Sequence, residues 1–201
     1  MCPTTEEERD RMNQVPYRSL IGSLMYLATS TRPDIAHAVS ALSQFNDNPG
    51  EEHWKAAKRV LRYIKRTEKM EIVFTKTENE LIGFSDADWG ASIDDRRSYT
   101  GYVFRLFGGA ISWSSRKQKT VAMSSAEAEY MALSEAAKES IYQRRFLTEV
   151  VGKLKTTLIL CDNQSAGLMA KNPVYHERTK HIDIRYHFVR ESVERGEIRI
   201  G

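Results

Sequence analysis

Cysteine is nearly absent from this chain: Cys2 and Cys161 are the only two in 201 residues. One lies in the polar start and the other closes an apolar run. Neither a disulfide framework nor a thiolate metal site is expected, and the usage fits a reducing compartment. Apolar runs long enough to span a membrane are also missing, so no membrane partner is expected. The opening MCPTTEEERDRM is polar and acidic. It does not read as a secretory signal, and residues 1–15 are expected to be a flexible lead. Repeats and low-complexity tracts are lacking too. So is an excess of one charge: 30 bases against 27 acids leave +3 at pH 7. That balance permits a nucleic-acid partner without demanding one. These absences together describe a soluble intracellular protein.

What is present suffices for a core. Hydrophobic residues make up 41% of the chain, which argues against disorder. Residues 16–69 read as helical. YRSLIGSLMYLATST carries Leu20, Ile21, Leu24, Met25 and Leu27 at helical spacing. Pro33 suits the first turn of a second helix, with Ile35, Val39, Leu42 and Phe45 on one face. Asn46 to Gly50 is a turn. EEHWKAAKRVLRYIKRT is a third helix, with acids first and bases last in accord with the helix dipole. Trp54, Ala57, Leu61 and Ile64 form its apolar stripe. Lys55, Lys58, Arg59, Arg62, Lys65 and Arg66 crowd the other side, with no acid among them. Such a run is ordinarily a solvated face; here phosphate contact competes with that reading.

From residue 70 to 201 the pattern becomes mixed. MEIVFTKT and NELIGFSDAD read as strands, joined by a polar turn around Glu78 and Asn79. SYTGYVFRLFGGAISWSSRK reads as two more, about a Gly108–Gly109 turn. A long helix follows, capped by Ser124 or Ser125. KTTLILCDN is a buried strand and NQSAGLMAKN a short helix. KHIDIRYHFVRESVERG is a helix ended by Gly196, and EIRIG is a last strand. Strands first, then alternating helix and strand, predict an α/β sheet with an antiparallel hairpin section and parallel crossovers.

Acids stand at special places in this layout. Asp86 ends one strand, Asp162 ends another, and Glu127 and Glu129 open the long helix. Ligands of open α/β sheets collect at the carboxyl ends of strands. If the two Asp-bearing strands are parallel neighbours, their carboxylates share an edge, and the helix can bring a glutamate beside them. Clustered carboxylates repel one another and suit Mg²⁺ or Mn²⁺. Taken singly, each acid is as well explained as a turn, cap or helix-dipole residue.

The motifs YRSLIGSLMYLATSTRPDI, HWKAAKRVLRYIKRT, FSDADWG, DRRSYTGYVF, ISWSSRKQKTVAMSSAEAEYMAL, LCDNQSA and RTKHIDIRYHFVRE resemble, in order and spacing, the C-terminal part of the Pol polyprotein of copia-type LTR retrotransposons. The resemblance runs from about residue 16 to 200. It implies a ribonuclease H-like domain over 70–201, a mixed sheet flanked by helices. Residues 16–69 are then the thumb-like or connecting end of a reverse transcriptase. No YxDD-like polymerase motif is present.

The implied activity is two-metal hydrolysis of the RNA strand of an RNA–DNA hybrid, with two Mg²⁺ or Mn²⁺ ions. Asp86 and Asp162 match the first and third carboxylates, and Asp88 is a neighbour or turn residue. Glu129 is preferred as the second carboxylate because Glu129-Tyr130-Met131-Ala132 fits the family pattern; Glu127 is the alternate. The fourth carboxylate follows the last strand in the family. This chain stops at Gly201, so that ligand and the closing helix are expected to be missing. Asp183 is read as a structural helix residue. Asn163 and Gln164 match positions that touch the minor groove through 2′-hydroxyls. His176 is the candidate for the assisting histidine, against a surface or capping role. Trp89 and Trp113 are read as packing residues. The upstream reverse transcriptase is the implied protein partner, and a cytoplasmic virus-like particle the implied setting. The competing reading is a catalytically impaired nucleic-acid-binding or scaffold fragment. A glycosidase also pairs carboxylates, but no aromatic sugar cleft is evident.

Overall fold

Tyr17, Ile21, Leu24 and Ala28 recur every three or four residues. That spacing places them on one face of a helix, α2 (Tyr17–Ser30), where all four are buried. The computed structural model describes residues 2–76, 80–152, 154–163, 167 and 183–201. The chain divides into two units, Met1–Ile72 and Val73–Gly201.

The first unit is all helical: α1 (Glu6–Asn13), α2, a 3₁₀ turn (Pro33–Ile35), α3 (Ala36–Ser43) and α4 (Glu51–Arg66). Its core joins the buried face of α2 to Ile35, Val39, Leu42 and Ala57. Two expectations need correction. The lead over 1–15 is not wholly irregular, because α1 forms there. Thr5 Oγ1 accepts the Glu8 N–H at 3.3 Å, and the Glu8 carboxylate accepts the Thr5 N–H at 3.4 Å, a reciprocal capping box legible in TTEEE. Leu61, assigned to the apolar stripe of α4, is 42% exposed.

Arg32 ties this unit together. It is 8% exposed, holds Asp34 at 2.7 Å, and donates to Thr67 Oγ1 at 2.6 Å and Thr67 O at 3.3 Å. The loop before α3 is thereby fastened to the residue that ends α4. The Arg32 hydrogen bond is the main reason the Asp34 carboxyl is held below its ordinary range.

The second unit contains β1 (Ile82–Asp88), β2 (Tyr99–Leu106), β3 (Gly109–Lys117), α5 (Ser125–Val151), β4 (Thr157–Cys161), α6 (Asp183–Glu194) and β5 (Ile198–Ile200). The sheet order is β3-β2-β1-β4-β5. The β1–β2 and β2–β3 pairs are antiparallel; β1–β4 and β4–β5 are parallel. This is a mixed sheet flanked by helices, the architecture that the resemblance implies.

The β2–β3 hairpin turns on Phe107 and Gly108, both at positive φ, one residue before the expected Gly108–Gly109. MEIVFTKT does not form a strand in its described part. Met70, Val73 and Phe74 are 54, 60 and 56% exposed, so the segment has no buried face to pair. Thr75 N–H reaches Phe107 O at 2.7 Å, and the Phe74 ring covers Gly109.

α5 packs on the sheet through Ala128, Ala132 and Ala136, all fully buried, which lets the helix axis approach closely. α6 joins the same core through Tyr186 and Val189, with Tyr186 stacked on Tyr130 at 4.1 Å. On the opposite face Phe84 and Leu160 lie in register, 38 and 36% exposed. The Glu78–Asn79 turn and most of the short helix expected over NQSAGLMAKN fall outside the described residues.

Removing Arg32 leaves Asp34 half-desolvated and α4 unfastened. Arg32→Ala should lower the stability of the first unit by about 3 kcal/mol, whereas Arg18→Ala, whose exposed pair with Asp47 is solvent-screened, should cost under ~0.5 kcal/mol. The Arg32 contribution should be present near neutral pH and fade as Asp34 protonates in acid. Hydrogen exchange of α2 and α4 amides in the full chain measures both; equal losses for the two variants would contradict this account.

Candidate active site

β1 and β4 run parallel with Ser85 opposite Cys161, so the next residue on each, Asp86 and Asp162, emerges at the same sheet edge. The strands bury their middles, and their carboxyl ends open at the place where such sheets hold ligands.

α5 supplies the third acid. Ser124 caps the helix, its Oγ accepting the Glu127 N–H at 3.2 Å. Glu127, 2% exposed, accepts the Met123 N–H at 2.8 Å, so its carboxylate belongs to the helix start. Glu129, 6% exposed, faces the strand ends. It accepts the Ala87 N–H, and Cys161 Sγ lies 3.9 Å from its Oε2. One ligand atom from each of Glu129, Cys161 and Asp162 lies within 4.8 Å of the others. Burial, first, and then the charges of Asp86 and Asp162 push the Glu129 carboxyl up to about 7. Burial and the same three carboxylates hold the Cys161 thiol above its ordinary value. The arrangement is a partly buried, oxygen-rich acidic cluster, and its electrostatic cost falls when a cation is held there.

Cys161 is the member that sequence reasoning missed as a site residue. Its signal was position alone, one residue before Asp162 at the end of β4. Asp88 serves the turn instead, accepting the Tyr99 N–H. Trp89 is not packed away: its Nε1–H donates to Ala122 O at 3.2 Å while the residue stays 59% exposed. Trp113 is half-buried. Asn163 is half-buried, with its backbone N–H on the Cys161 sulfur. Gln164 and His176 lie outside the described residues.

The bases of α4 belong to the first unit. Lys55 pairs with Glu52 at 2.8 Å and Glu51 at 3.3 Å, and Lys58 sits 5.3 Å over the Trp54 ring. Arg59, Arg62, Lys65 and Arg66 are exposed and have no acid in ion-pair range among the described residues.

No protein-family model matches the chain. It is 50% identical over 200 residues to the retrovirus-related Pol polyprotein from transposon TNT 1-94 of Nicotiana tabacum, covering all of this chain and 15% of that protein. It is 46% identical over 186 residues to that of transposon RE1 of Arabidopsis thaliana, covering 92% of this chain and 13% of that protein. The chain thus spans about a seventh of the length of these relatives. It is also 52% identical over 132 residues to secreted RxLR effector protein 161 of Plasmopara viticola, covering 65% of this chain and 93% of that protein. Among solved structures, a compost-derived ribonuclease H1 overlaps 61% of this chain and 83% of its own at 19% identity and a TM-score of 0.46.

A glutamate raised to about 7 is protonated more readily in the folded protein than in the unfolded chain. Its ionisation therefore erodes stability as pH rises from about 4.5 to 7, by up to roughly 3 kcal/mol. In metal-free protein, Glu129→Gln should remove that erosion. The variant and the parent should differ little at pH 4, and the variant should be the more stable at pH 8. Denaturant unfolding across this range tests it; parallel pH profiles for the two proteins would refute the electrostatic account.

Proposed function

We propose that the chain belongs to the retrovirus-related Pol polyproteins of transposons and that its second unit is the ribonuclease H domain of such a polyprotein, of copia type, cleaving the RNA strand of RNA–DNA hybrids. The observation that carries this reading is the convergence of Asp86, Glu129 and Asp162 at the carboxyl edge of the β1–β4 pair. Those three residues lie far apart in the chain.

The donor set fits a hard divalent cation, Mg²⁺ or Mn²⁺. Carboxylate oxygens suit such ions, and Glu129 is crowded by two like charges that a cation would relieve. The sulfur of Cys161 is the odd donor. Its thiol is held above its ordinary value, so it stays neutral and weakly competitive for hard ions. When bound, divalent ions supply Lewis acidity at the scissile phosphate and ease deprotonation of water.

The protein's own share is positional. Asp86 and Asp162 are set by strand register, and Glu129 by the pitch of a capped helix and the Ala87 N–H. Asn163, and Gln164 beyond it, are suited to 2′-hydroxyl contact, which would select the RNA strand. The unpaired bases of α4 suit phosphate contact, and the upstream reverse transcriptase region is the natural partner of the first unit. A second reading has its own observation. The exposed bases of α4 belong to the first unit and the carboxylates to the second, which supports binding of nucleic acid without cutting.

Incubation of the full chain with labelled RNA–DNA hybrid and Mg²⁺ or Mn²⁺ separates the two. Asp86→Asn and Asp162→Asn should each lower the cleavage rate by about 100-fold or more, since several kcal/mol of transition-state stabilisation depend on each ligand. Cys161→Ser should remain within about tenfold of the parent, as expected of a neighbour that is not itself a hard-ion ligand. Hybrid binding without metal-dependent cleavage by the parent would reject the ribonuclease reading in favour of the second.

A further inference from the structure

Tyr142, Phe146 and Val150 recur every fourth residue near the end of α5 and are 63, 54 and 65% exposed. Residues at that interval line up along one side of a helix. Leu147 points the other way and is buried in the core of the second unit, which fixes the rotation of the helix and holds the stripe outward. The end of α5 is also tied down. The Arg144 guanidinium donates to Lys155 O, and the Gly152 N–H closes the last turn on Thr148 O at 3.2 Å. Single exposed apolar residues are ordinary on a protein surface. Three along one ordered ridge, two of them aromatic, are what an interface presents.

The charges beside this ridge complement themselves. Arg145 and Glu149 lie one turn apart along one flank of it, opposite in sign. Both are exposed, and neither has an ion-pair partner among the described residues. In a two-fold pair of antiparallel helices, a flank meets the same flank of the other copy in reversed order. Arg145 of each copy then stands beside Glu149 of the other. A ridge of four-residue spacing also interdigitates with an identical ridge when two helices cross at about −50°. Two aromatic side chains and a valine exposed to this extent offer roughly 300 to 400 Å² per copy, about half of the ~800 Å² of a standard interface. The pairing is therefore weak and reversible.

We propose that the end of α5 is a self-association surface, on which a second copy of this chain docks its own α5 antiparallel, with Phe146 at the crossing and Arg145–Glu149 pairs along the flank. A second copy is the occupant because the ridge supplies its own complement in shape and in charge. The surface lies within the second unit and stands independently of the ribonuclease reading. Phe146 is 17 residues along α5 from Glu129, about 25 Å at 1.5 Å per residue, so pairing leaves the carboxylate edge of each copy open.

Sedimentation velocity of the full chain from about 5 to about 500 µM at low salt is the test. The parent should shift toward dimer with a Kd on the order of 100 µM, in keeping with an interface below ~1,200 Å² in total. Phe146→Glu should raise that Kd about tenfold or more by setting a charge at the crossing. Arg145→Glu and Glu149→Arg should each associate about threefold or more weakly than the parent, because each brings like charges together. An equimolar mixture of those two variants should regain the parent's association, since every flank contact then joins opposite charges. Pairing within one helix cannot produce that recovery. A parent that stays monomeric throughout overturns the proposal, and so does a mixture that associates no better than its components. The upstream reverse transcriptase region, added as a separate chain, is the rival occupant. If it binds the parent and not Phe146→Glu while the parent stays monomeric, the stripe is that partner's and the proposal fails.

Discussion

Parallel pairing of β1 with β4 is the constraint on which the site depends. A strand's side chains alternate with a period of two, so a slip of one residue would turn every side chain of β4 over. In the observed register Ile159 is fully buried and Leu160 faces outward beside Phe84. A slip would expose the first and carry Cys161 away from Glu129. The same burial that drives the strands together therefore fixes where their acidic ends emerge. Across the sheet, Gly83 sits opposite Phe104, whose ring comes within 2.5 Å of where a Cβ would be; close strand packing is set at that point by the absence of a side chain.

The long helix resolves a second ambiguity by geometry. Glu127 and Glu129 are two residues apart, roughly 200° around the axis, so they cannot serve the same site. Ser124 fixes the helix start, and Glu127 then closes the first turn on Met123. Glu129 is thereby turned to the strand ends, with Ala128, Ala132 and Ala136 pressed against the sheet. Burial of Glu129 among like charges is unfavourable for the empty fold. A site that costs stability and gathers hard oxygen donors is what ion-dependent chemistry requires.

Where sequence reading failed, the missing term was tertiary. MEIVFTKT has strand-like residues, yet Val73 and Phe74 lie exposed and its described part adds no strand to the sheet. Leu61 fits a helical stripe, but α2 and α3 cover only the part of α4 centred on Ala57. Trp89 looked like core and is a turn residue with its indole N–H on Ala122. The capping box of α1 was local and could have been read from Thr5 and Glu8; the polar composition around it concealed a helix stabilised by its ends more than by a core.

The amino-acid order alone determined the helical first part, the strand–hairpin–helix succession of the second, the caps, and the Asp-ended strands, because each follows from periodicity and side-chain chemistry within a short window. The similarity to transposon Pol polyproteins was likewise carried by the motifs themselves. Only the tertiary structure decided that β1 and β4 are neighbours, that Glu129 and not Glu127 joins Asp86 and Asp162, and that Cys161 stands among them. Those outcomes depend on register and helix rotation, which are set by burial against residues tens of positions away; the only local mark was the Glu129-Tyr130-Met131-Ala132 pattern, which favoured Glu129 by resemblance.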